Sequence, residues 1–230
     1  ILLLPATPKE CFDFTADAFD LAERLQTPIL IMTDLDLGMN DHLCPAFTWD
    51  ENRDYDRGKV LDAEALDNIK EFARYRDVDG DGIPNRTIPG THPTKGAYFT
   101  RGTSRDELAR YTEDSEPYVR NMERLIKKWN TAKSHVPAPE FYQEADKGRQ
   151  GMIFFGTSTY AALEALDLLE AAGTPMDAMR LRATPFSDEV HDFIERHDVI
   201  YVIEQNRDAQ MRSILINELE IKKEDLEKEM

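Results

Sequence analysis

Residues 1–33 carry the pattern that most restricts the fold of this chain. An apolar run, "ILLL", precedes "TPKE", in which Thr7 is the expected helix N-cap, Pro8 the first helical residue and Glu10 the acid of a capping box. Apolar side chains recur at helical spacing as far as Leu25, and "ILIMT" forms a second apolar run. A strand, a crossover helix and a strand in this order predict a parallel pair of buried strands, and therefore an α/β fold.

A second α/β pattern begins at residue 150. Its predicted strands are "GMIFFGTS", "MDAMRL" and "VIYVIEQN". They alternate with "TYAALEALDLLEAAG", a helix closed by Gly173, and "SDEVHDFIERH", a helix capped by Ser187, and a further helix begins near Arg207. Three strands that alternate with helices predict a compact three-layer domain.

The segment "SHVPAPEFYQEADKGRQ" has prolines, mixed charge and no periodicity, which is typical of a linker. We therefore predict a first domain at residues 1–133, a linker at 134–149, a second domain at 150–217 and a charged tail at 218–230.

Two helices are predicted within the first domain. One is a short helix around Ala63 to Tyr75. The other lies in a charged region, residues 105–133, and its apolar face would carry Tyr118, Met122, Leu125 and Trp129.

Composition excludes several classes of protein. The formal charge of −17, from 45 acidic and 28 basic residues, disfavours nucleic acid as a partner. No apolar run approaches the roughly 18 residues of a membrane span. The cysteines, Cys11 and Cys44, form no disulfide framework and are too few to ligate an iron–sulfur cluster, so we expect a reducing, cytoplasmic setting. Because the chain opens on Ile1 in mid-strand, we expect it to be part of a longer protein.

The segment "DVDGDGIPNRTIPG", residues 77–90, allows three interpretations. A calcium loop that starts at Asp77 would need a bidentate glutamate at its twelfth position, which is Ile88. The "GDG" of a magnesium-diphosphate site would need a later asparagine pair, and no "NN" follows. We therefore predict no metal site here. A turn accounts for the aspartates and glycines, but not for the polar segment that continues to Ser104 without periodicity, and ordered segments of this length are often functional.

Acidic residues also follow the second apolar run. Asp34 and Asp36 lie directly after "ILIMT". Ligands of open α/β sheets bind beyond the carboxyl ends of strands, so these residues are expected near a site. Two acids in a polar exit loop are the alternative.

Four long segments together carry a resemblance to a known family: "LLPATPKECFDFTADAFDLAERLQTPILIMTDLDLGMN", "YRDVDGDGIPNRTIPGTHPTKGAYFTRGTSRDELARYTED", "NMERLIKKWNTAKSHVP" and "MRLRATPFSDEVHDFIERHDVIYVIEQNRDAQM". In this order they resemble the α subunit of 2-oxoacid:ferredoxin oxidoreductases, with the 2-oxoglutarate type the most similar. The resemblance implies the C-terminal half of a pyrimidine-binding domain, a three-layer thiamine fold, followed by a transketolase C-terminal-like domain.

The resemblance also implies an activity. Family members decarboxylate a 2-oxoacid oxidatively with thiamine diphosphate, Mg²⁺ and a [4Fe–4S] cluster, transfer the acyl group to coenzyme A (CoA) and pass electrons to ferredoxin. The β subunit binds the diphosphate, the magnesium and the cluster. The family's substrate threonines, in a "YPITPSS"-like motif, and the glutamate that activates the cofactor would precede Ile1. We therefore assign no catalytic residue here and expect this chain to be inactive without its β subunit.

A dicarboxylate substrate such as 2-oxoglutarate needs cationic and hydroxyl donors. One segment supplies several of them, and we predict that it faces the substrate or CoA: Arg86, Thr91, His92, Lys95, Arg101 and Thr103. The alternative is that Arg86 and Arg101 pair with the aspartates at 77, 79 and 81. A related pyruvate or branched-chain enzyme, or a non-catalytic assembly module, are the alternatives for the whole chain.

Overall fold

The computed structural model describes residues 1–142, 150–220 and, for the backbone alone, 226–229. The helices of this part of the chain are α1 Pro8–Leu25, α2 Leu35–Met39, α3 Ala63–Asn68, α4 Ser115–Ala132, α5 Ser158–Ala171, α6 Asp188–Glu195 and α7 Gln210–Leu219. Its strands are β1 Leu2–Leu3, β2 Leu30–Ile31, β3 Glu140–Tyr142, β4 Gln150–Phe155, β5 Asp177–Leu181, β6 Ala183–Thr184, β7 Val199–Ile203 and β8 Leu226–Glu229.

The chain divides into two compact units. The first unit consists of Ile1–Phe19, Pro28–Asn52 and Val136–Met230, and the second of Asp20–Thr27 and Arg53–His135. The predicted domain bounds remain a prediction. Part of the predicted linker, residues 140–142, forms β3, whereas its residues 143–149 and residues 221–225 and 230 of the predicted tail lie outside the described residues.

The main sheet of the first unit has the order β3-β5-β4-β7-β8 among the described residues. Strand β4 runs parallel to β5 and β7, and β3 is antiparallel to β5. Ile153 packs with side chains of α6 and α7 on one face, whereas Phe154 packs with α5 on the other. Successive residues of a strand point to opposite faces, so the sheet is the middle of three layers. The α/β prediction for this region is confirmed.

The pattern at the start of the chain also forms the predicted pair. Strands β1 and β2 are parallel, with Leu2 opposite Leu30, and α1 connects them. The prediction that both strands are buried is wrong for β2, because Leu30 is 58% exposed. Among the described residues β2 pairs with β1 alone, and the other neighbour of β1 is the antiparallel β6.

The predicted helix ends are largely present. The amide of Glu10 donates to Thr7 Oγ1 at 3.1 Å, but the Glu10 carboxylate accepts from the amide of Ala6 at 2.8 Å instead of from that of Thr7. Gly173, at φ +77°, closes α5, and its amide donates to the carbonyl of Glu170. Ser187 precedes α6, but its hydroxyl donates to Glu189 and caps no backbone amide.

The second unit has little regular structure. The helix predicted around residues 63–75 ends at Asn68, and the region 105–133 is helical only at Ser115–Ala132. The apolar face predicted for α4 is exposed at Tyr118, Met122 and Leu125, so it is not packed on a core. The backbone of α4 instead lies against Gly82, where a Cβ would come within 2.4 Å of the amide nitrogen of Lys128.

No helix among the described residues has both the length and the apolar character that crossing a membrane requires.

Candidate functional site

Lysines neutralise the aspartates of the segment 77–90. Lys59 Nζ lies 2.7 Å from carboxylate oxygens of both Asp79 and Asp81 and 2.9 Å from the carbonyl oxygen of Ile83. Lys127 Nζ lies 3.0 Å from Asp77 Oδ2. The carboxylates are within 4.8 Å of one another, close enough to share a metal ion. Their cationic partners are these lysines, and not the arginines of the alternative interpretation.

The lysine contacts alter the ionisation of this loop. The hydrogen bond from Lys59 holds the pKa of Asp79 below its usual value, although burial opposes this. Burial lowers the pKa of Lys59, but its bonds to the two carboxylates outweigh burial and raise it. Asp77 and Asp81 also accept from the backbone amides of Gly80 and Ile83, which agrees with the interpretation of the aspartates and glycines as turn residues.

The hydrogen bonds of the Arg86 side chain are all made within the second unit, among the described residues. Its Nη2 donates to the Glu23 carboxylate and to the carbonyl oxygen of Arg57 at 2.9 Å. The guanidinium groups of Arg86 and Arg57 together hold the pKa of Glu23 below its usual value against the opposing effect of burial. These contacts tie residue 86 to the end of α1.

His92 and Lys95 also have internal partners. The amides of Thr94 and Lys95 donate to His92 Nδ1 at 3.1 and 2.8 Å, so the ring proton is on Nε2, which lies 3.1 Å from Asp67. Lys95 Nζ donates to the carbonyl oxygens of Leu66, Asp67 and Ile69 at the end of α3. Three acceptors match the three N–H groups of a lysine ammonium.

The remaining members of the predicted set differ in position. Thr91 Oγ1 donates to the carbonyl oxygen of Ile88 at 2.7 Å. The guanidinium of Arg101 lies 5.9 Å from the ring centroid of Tyr111. Thr91, His92 and Lys95 share the lining of a cavity of about 460 Å³, and Thr103 lines another of about 190 Å³. Arg86 and Arg101 line neither cavity, so the structure brings together three of the six residues. Their role toward a substrate or CoA stays a prediction.

Asp34 accepts hydrogen bonds from two separate segments of the first unit. Its Oδ1 accepts from the amide of Leu37 at 2.9 Å and caps α2, while Oδ2 accepts from the amide and hydroxyl of Thr157 at 3.1 and 2.5 Å. Burial raises the pKa of Asp34, but these hydrogen bonds outweigh it and lower the pKa. Asp36 accepts from the side chain of Asn40.

Thr157 follows β4, so Asp34 does lie at the carboxyl end of a strand of the main sheet. Both of its oxygens are engaged by protein donors, and whether Asp34 or Asp36 contacts a ligand stays a prediction. The sequence offers no signal for the bond between Asp34 and Thr157, because 123 positions separate the two residues.

A cluster around Tyr75 was not predicted from the sequence. The guanidinium carbons of Arg74, Arg105 and Arg124 lie 5.2, 5.3 and 5.8 Å from the centroid of the Tyr75 ring. Arg105 Nη1 donates to the Tyr75 hydroxyl at 3.2 Å. Burial raises the pKa of Tyr75, but the hydrogen bond from Arg105 and the surrounding charges outweigh it and lower the pKa.

Comparisons with known proteins support the fold. No family model matches the chain. No curated protein matches it either. Chains of solved structures do match, and one is a chain of 2-oxoglutarate:ferredoxin oxidoreductase from Magnetococcus marinus with 2-oxoglutarate, coenzyme A and succinyl-CoA bound. The TM-score is 0.81 with 21% sequence identity, over 99% of this chain and 38% of that chain.

At this identity the likeness shows the fold alone. This protein thus has the mixed α/β fold of a region of that oxidoreductase, and it spans less than half the length of the chain it matches. The predicted α/β class is confirmed for the described part of the chain.

Proposed function

We propose that this chain is part of the α subunit of a thiamine-diphosphate-dependent 2-oxoglutarate:ferredoxin oxidoreductase. The observation that supports this most is the fold shared over 99% of the chain with an oxidoreductase solved with 2-oxoglutarate, coenzyme A and succinyl-CoA. The reaction would be oxidative decarboxylation of 2-oxoglutarate with CoA to succinyl-CoA, with electrons passed to ferredoxin. Fold alone does not define a reaction, so the proposal needs a test of activity.

The residues of this chain do not fit the cofactors of that reaction. Lys59 already engages the carboxylates of Asp79 and Asp81, and Gly82 lies against the backbone of α4, so "GDG" at residues 80–82 does not suit a magnesium-diphosphate group. Cys11 and Cys44 would supply half the thiolates of a [4Fe–4S] cluster. We therefore assign thiamine diphosphate, Mg²⁺ and the cluster to the β subunit and to parts of the protein outside this chain.

The contribution of this chain would be structural support and a substrate-facing segment. Within residues 86–103, Arg86, His92 and Lys95 hold the segment in place through their internal contacts. Arg101 and Thr103 are exposed and would present a guanidinium and a hydroxyl to a carboxylate. This division of roles follows from the partners that each side chain has.

The activity is tested on the complete protein purified with its partner subunit. We expect reduction of ferredoxin that requires both 2-oxoglutarate and CoA, with succinyl-CoA detected by mass spectrometry, and no reduction by this chain alone. Reduction with pyruvate or a branched-chain 2-oxoacid, but not with 2-oxoglutarate, would contradict the proposed substrate. The absence of reduction with every 2-oxoacid would contradict the proposed enzyme.

The role of Arg101 is tested by the Arg101→Ala variant of the same complex. Because one charged hydrogen bond is worth about 1.5–3 kcal/mol, we expect the KM for 2-oxoglutarate to rise roughly tenfold or more, with a smaller effect on pyruvate. Arg110→Ala is the control, since Arg110 is also exposed and lies nine positions further along the chain. Equal effects on both substrates, or on both variants, would show that Arg101 does not bind the distal carboxylate.

A further inference from the structure

The cavity beside Tyr75 is lined by basic and neutral side chains, although the chain as a whole is acidic. It has a volume of about 190 Å³, below the roughly 300–1,000 Å³ of pockets that hold drug-sized ligands. Its polar lining consists of Tyr75, Thr103, Ser104, Arg105, Asn121 and Arg124. It thus contains two arginines and no carboxylate, although the chain has 45 acidic residues. The remaining lining, Tyr118, Met122 and Leu125, comes from the exposed face of α4.

Buried donors around this cavity lack acceptors. Arg124 Nη1 donates to the carbonyl oxygen of Gly82 at 2.9 Å, but Arg124 Nε is buried without a hydrogen-bond partner among the described residues. The same holds there for Ser104 Oγ, which lines the cavity, and for Nε and Nη1 of Arg74, which is outside the lining but lies over the Tyr75 ring. Buried polar groups in native proteins are nearly always paired, and an unpaired one in a native structure points to an unseen partner such as a water or an ion.

The positive charges also act on one another. Burial lowers the pKa of Arg124, and the charge of Arg74 lowers it further. Burial, followed by the charges of Arg124 and Arg74, lowers the pKa of Lys128 to about 8. These like charges repel one another, and a bound anion would reduce that repulsion.

No carboxylate near the cavity, among the described residues, serves as the anion beside these arginines. Asp77, Glu107 and Glu123 line a larger, adjacent cavity, which shares Tyr75, Asn121 and Arg124 with the smaller one. Asp77 acts on Arg124 at a distance but is bonded to Lys127, and Glu107 is bonded to Arg76 at 2.5 Å.

We propose that the cavity binds an oxyanion, the carboxylate or phosphate group of a small ligand, between Arg105 and Arg124. Planar guanidinium groups suit both kinds of oxyanion. Asn121 Nδ2 donates to the carbonyl oxygen of Arg105 at 2.6 Å, which fixes Arg105 against α4. Ser104 would add a hydroxyl donor, and the apolar side chains of α4 would contact the carbon chain of the ligand. This inference concerns binding alone and does not depend on the proposed oxidoreductase function.

The test measures anion binding by the complete protein. Inorganic phosphate and succinate are titrated separately at constant ionic strength, with chloride as the balancing ion, and the apparent Kd is obtained from the rise of the thermal unfolding midpoint. We expect Arg124→Gln and Arg105→Gln each to weaken binding roughly tenfold or more, because each removes a charged hydrogen bond.

Arg120→Gln is the matched control. Arg120 lies one turn before Arg124 on α4, pairs with Glu116 and lines the larger cavity but not the smaller one. It should leave the affinity unchanged. If Arg124→Gln fails to fold, Arg105→Gln decides; the Arg105 side chain donates to the Tyr75 hydroxyl and, through Nη2, to the carbonyl oxygen of Gly102 at 2.8 Å.

Each outcome has one meaning. Binding of phosphate alone would identify a phosphate-bearing ligand, binding of succinate alone a carboxylate ligand, and binding of both a general oxyanion site. If neither ion raises the midpoint above the chloride control, or if Arg120→Gln weakens binding as much as the cavity variants, the proposal is wrong.

Discussion

The two units of this protein are stabilised in different ways. In the first unit, Ile153, Met179 and Ile200 are completely buried between strands and helices. In the second unit, Lys59 binds three groups of the loop at residues 79–83, and Lys95 binds three carbonyl oxygens at the end of α3. Burial of a large apolar side chain contributes more than a typical net hydrogen bond, about 2–5 kcal/mol against about 1 kcal/mol. We therefore expect the two units to respond differently to substitution.

The largest expected effect is in the core of the first unit. Phe154→Ala should lower the free energy of unfolding by about 3–5 kcal/mol, because the Phe154 side chain is completely buried and its removal leaves a cavity. Phe99→Ala in the second unit is the control, since Phe99 is 80% exposed, and it should change stability by about 0.5 kcal/mol or less. Urea unfolding of both variants measures the contrast. Similar losses for both would show that apolar burial does not distinguish the units.

The second effect concerns an ion pair of the first unit. Arg180 is nearly buried and donates to Glu10 Oε2 at 2.8 Å and to Glu140 Oε2 at 3.0 Å. Arg180→Met should destabilise the protein by about 3 kcal/mol, because the mostly buried Glu10 carboxylate loses its closest cation and keeps only the longer contact with Arg182, at 3.3 Å. Met is chosen to keep the volume, and Arg120→Met on the exposed face of α4 should cost less than about 1 kcal/mol.

This ion pair also predicts a pH dependence. Burial raises the pKa of Glu10, but the hydrogen bond and charge of Arg180 outweigh it and lower the pKa from 4.5. A carboxyl whose folded pKa lies below its unfolded value stabilises the fold fully above the unfolded pKa, and this stabilisation is lost as the pH falls through the folded pKa. The difference in stability between the wild type and Arg180→Met should therefore be largest at neutral pH and shrink below about pH 4.5. A difference that is independent of pH would contradict this account.

The smallest expected effect is in the second unit. Lys59→Met should lower stability by about 1–2 kcal/mol, because it removes the cation from between Asp79 and Asp81 while the carbonyl oxygen of Ile83 loses its donor. Lys70→Met, at an exposed position of the same unit, is the control and should have little effect. A loss as large as that of Phe154→Ala would show that polar contacts stabilise this unit as strongly as a core.

Much of the first unit could be predicted because its structure follows from local periodicity. Strands β4, β5 and β7 and helices α5 and α6 lie where alternating apolar segments and turn residues indicated them. The exposure of β2 could not be predicted, since it depends on which strands lie beside it and not on its own sequence.

The candidate site was less predictable because its partners are distant in sequence. The concentration of cations in residues 86–103 was visible, but the pairing of Arg86 with Glu23 joins positions 63 apart. The arginines around Tyr75 come from three separate segments, and no spacing in the sequence indicates that they meet. Because the chain has more acidic than basic residues, each cation has many possible partners, and only the fold determines which of them it contacts.

The pairing of β1 with β6 has a practical consequence for anyone who wishes to express this protein in pieces. Residues 2–3 and 183–184 are neighbours in one sheet, and Glu10 and Arg180 lie beside them as an ion pair. A gene cut within residues 134–149 would put the two halves of both contacts on different polypeptides. Such fragments should be co-expressed, and their recovery as one complex would make the cut a usable split site for a reconstitution assay.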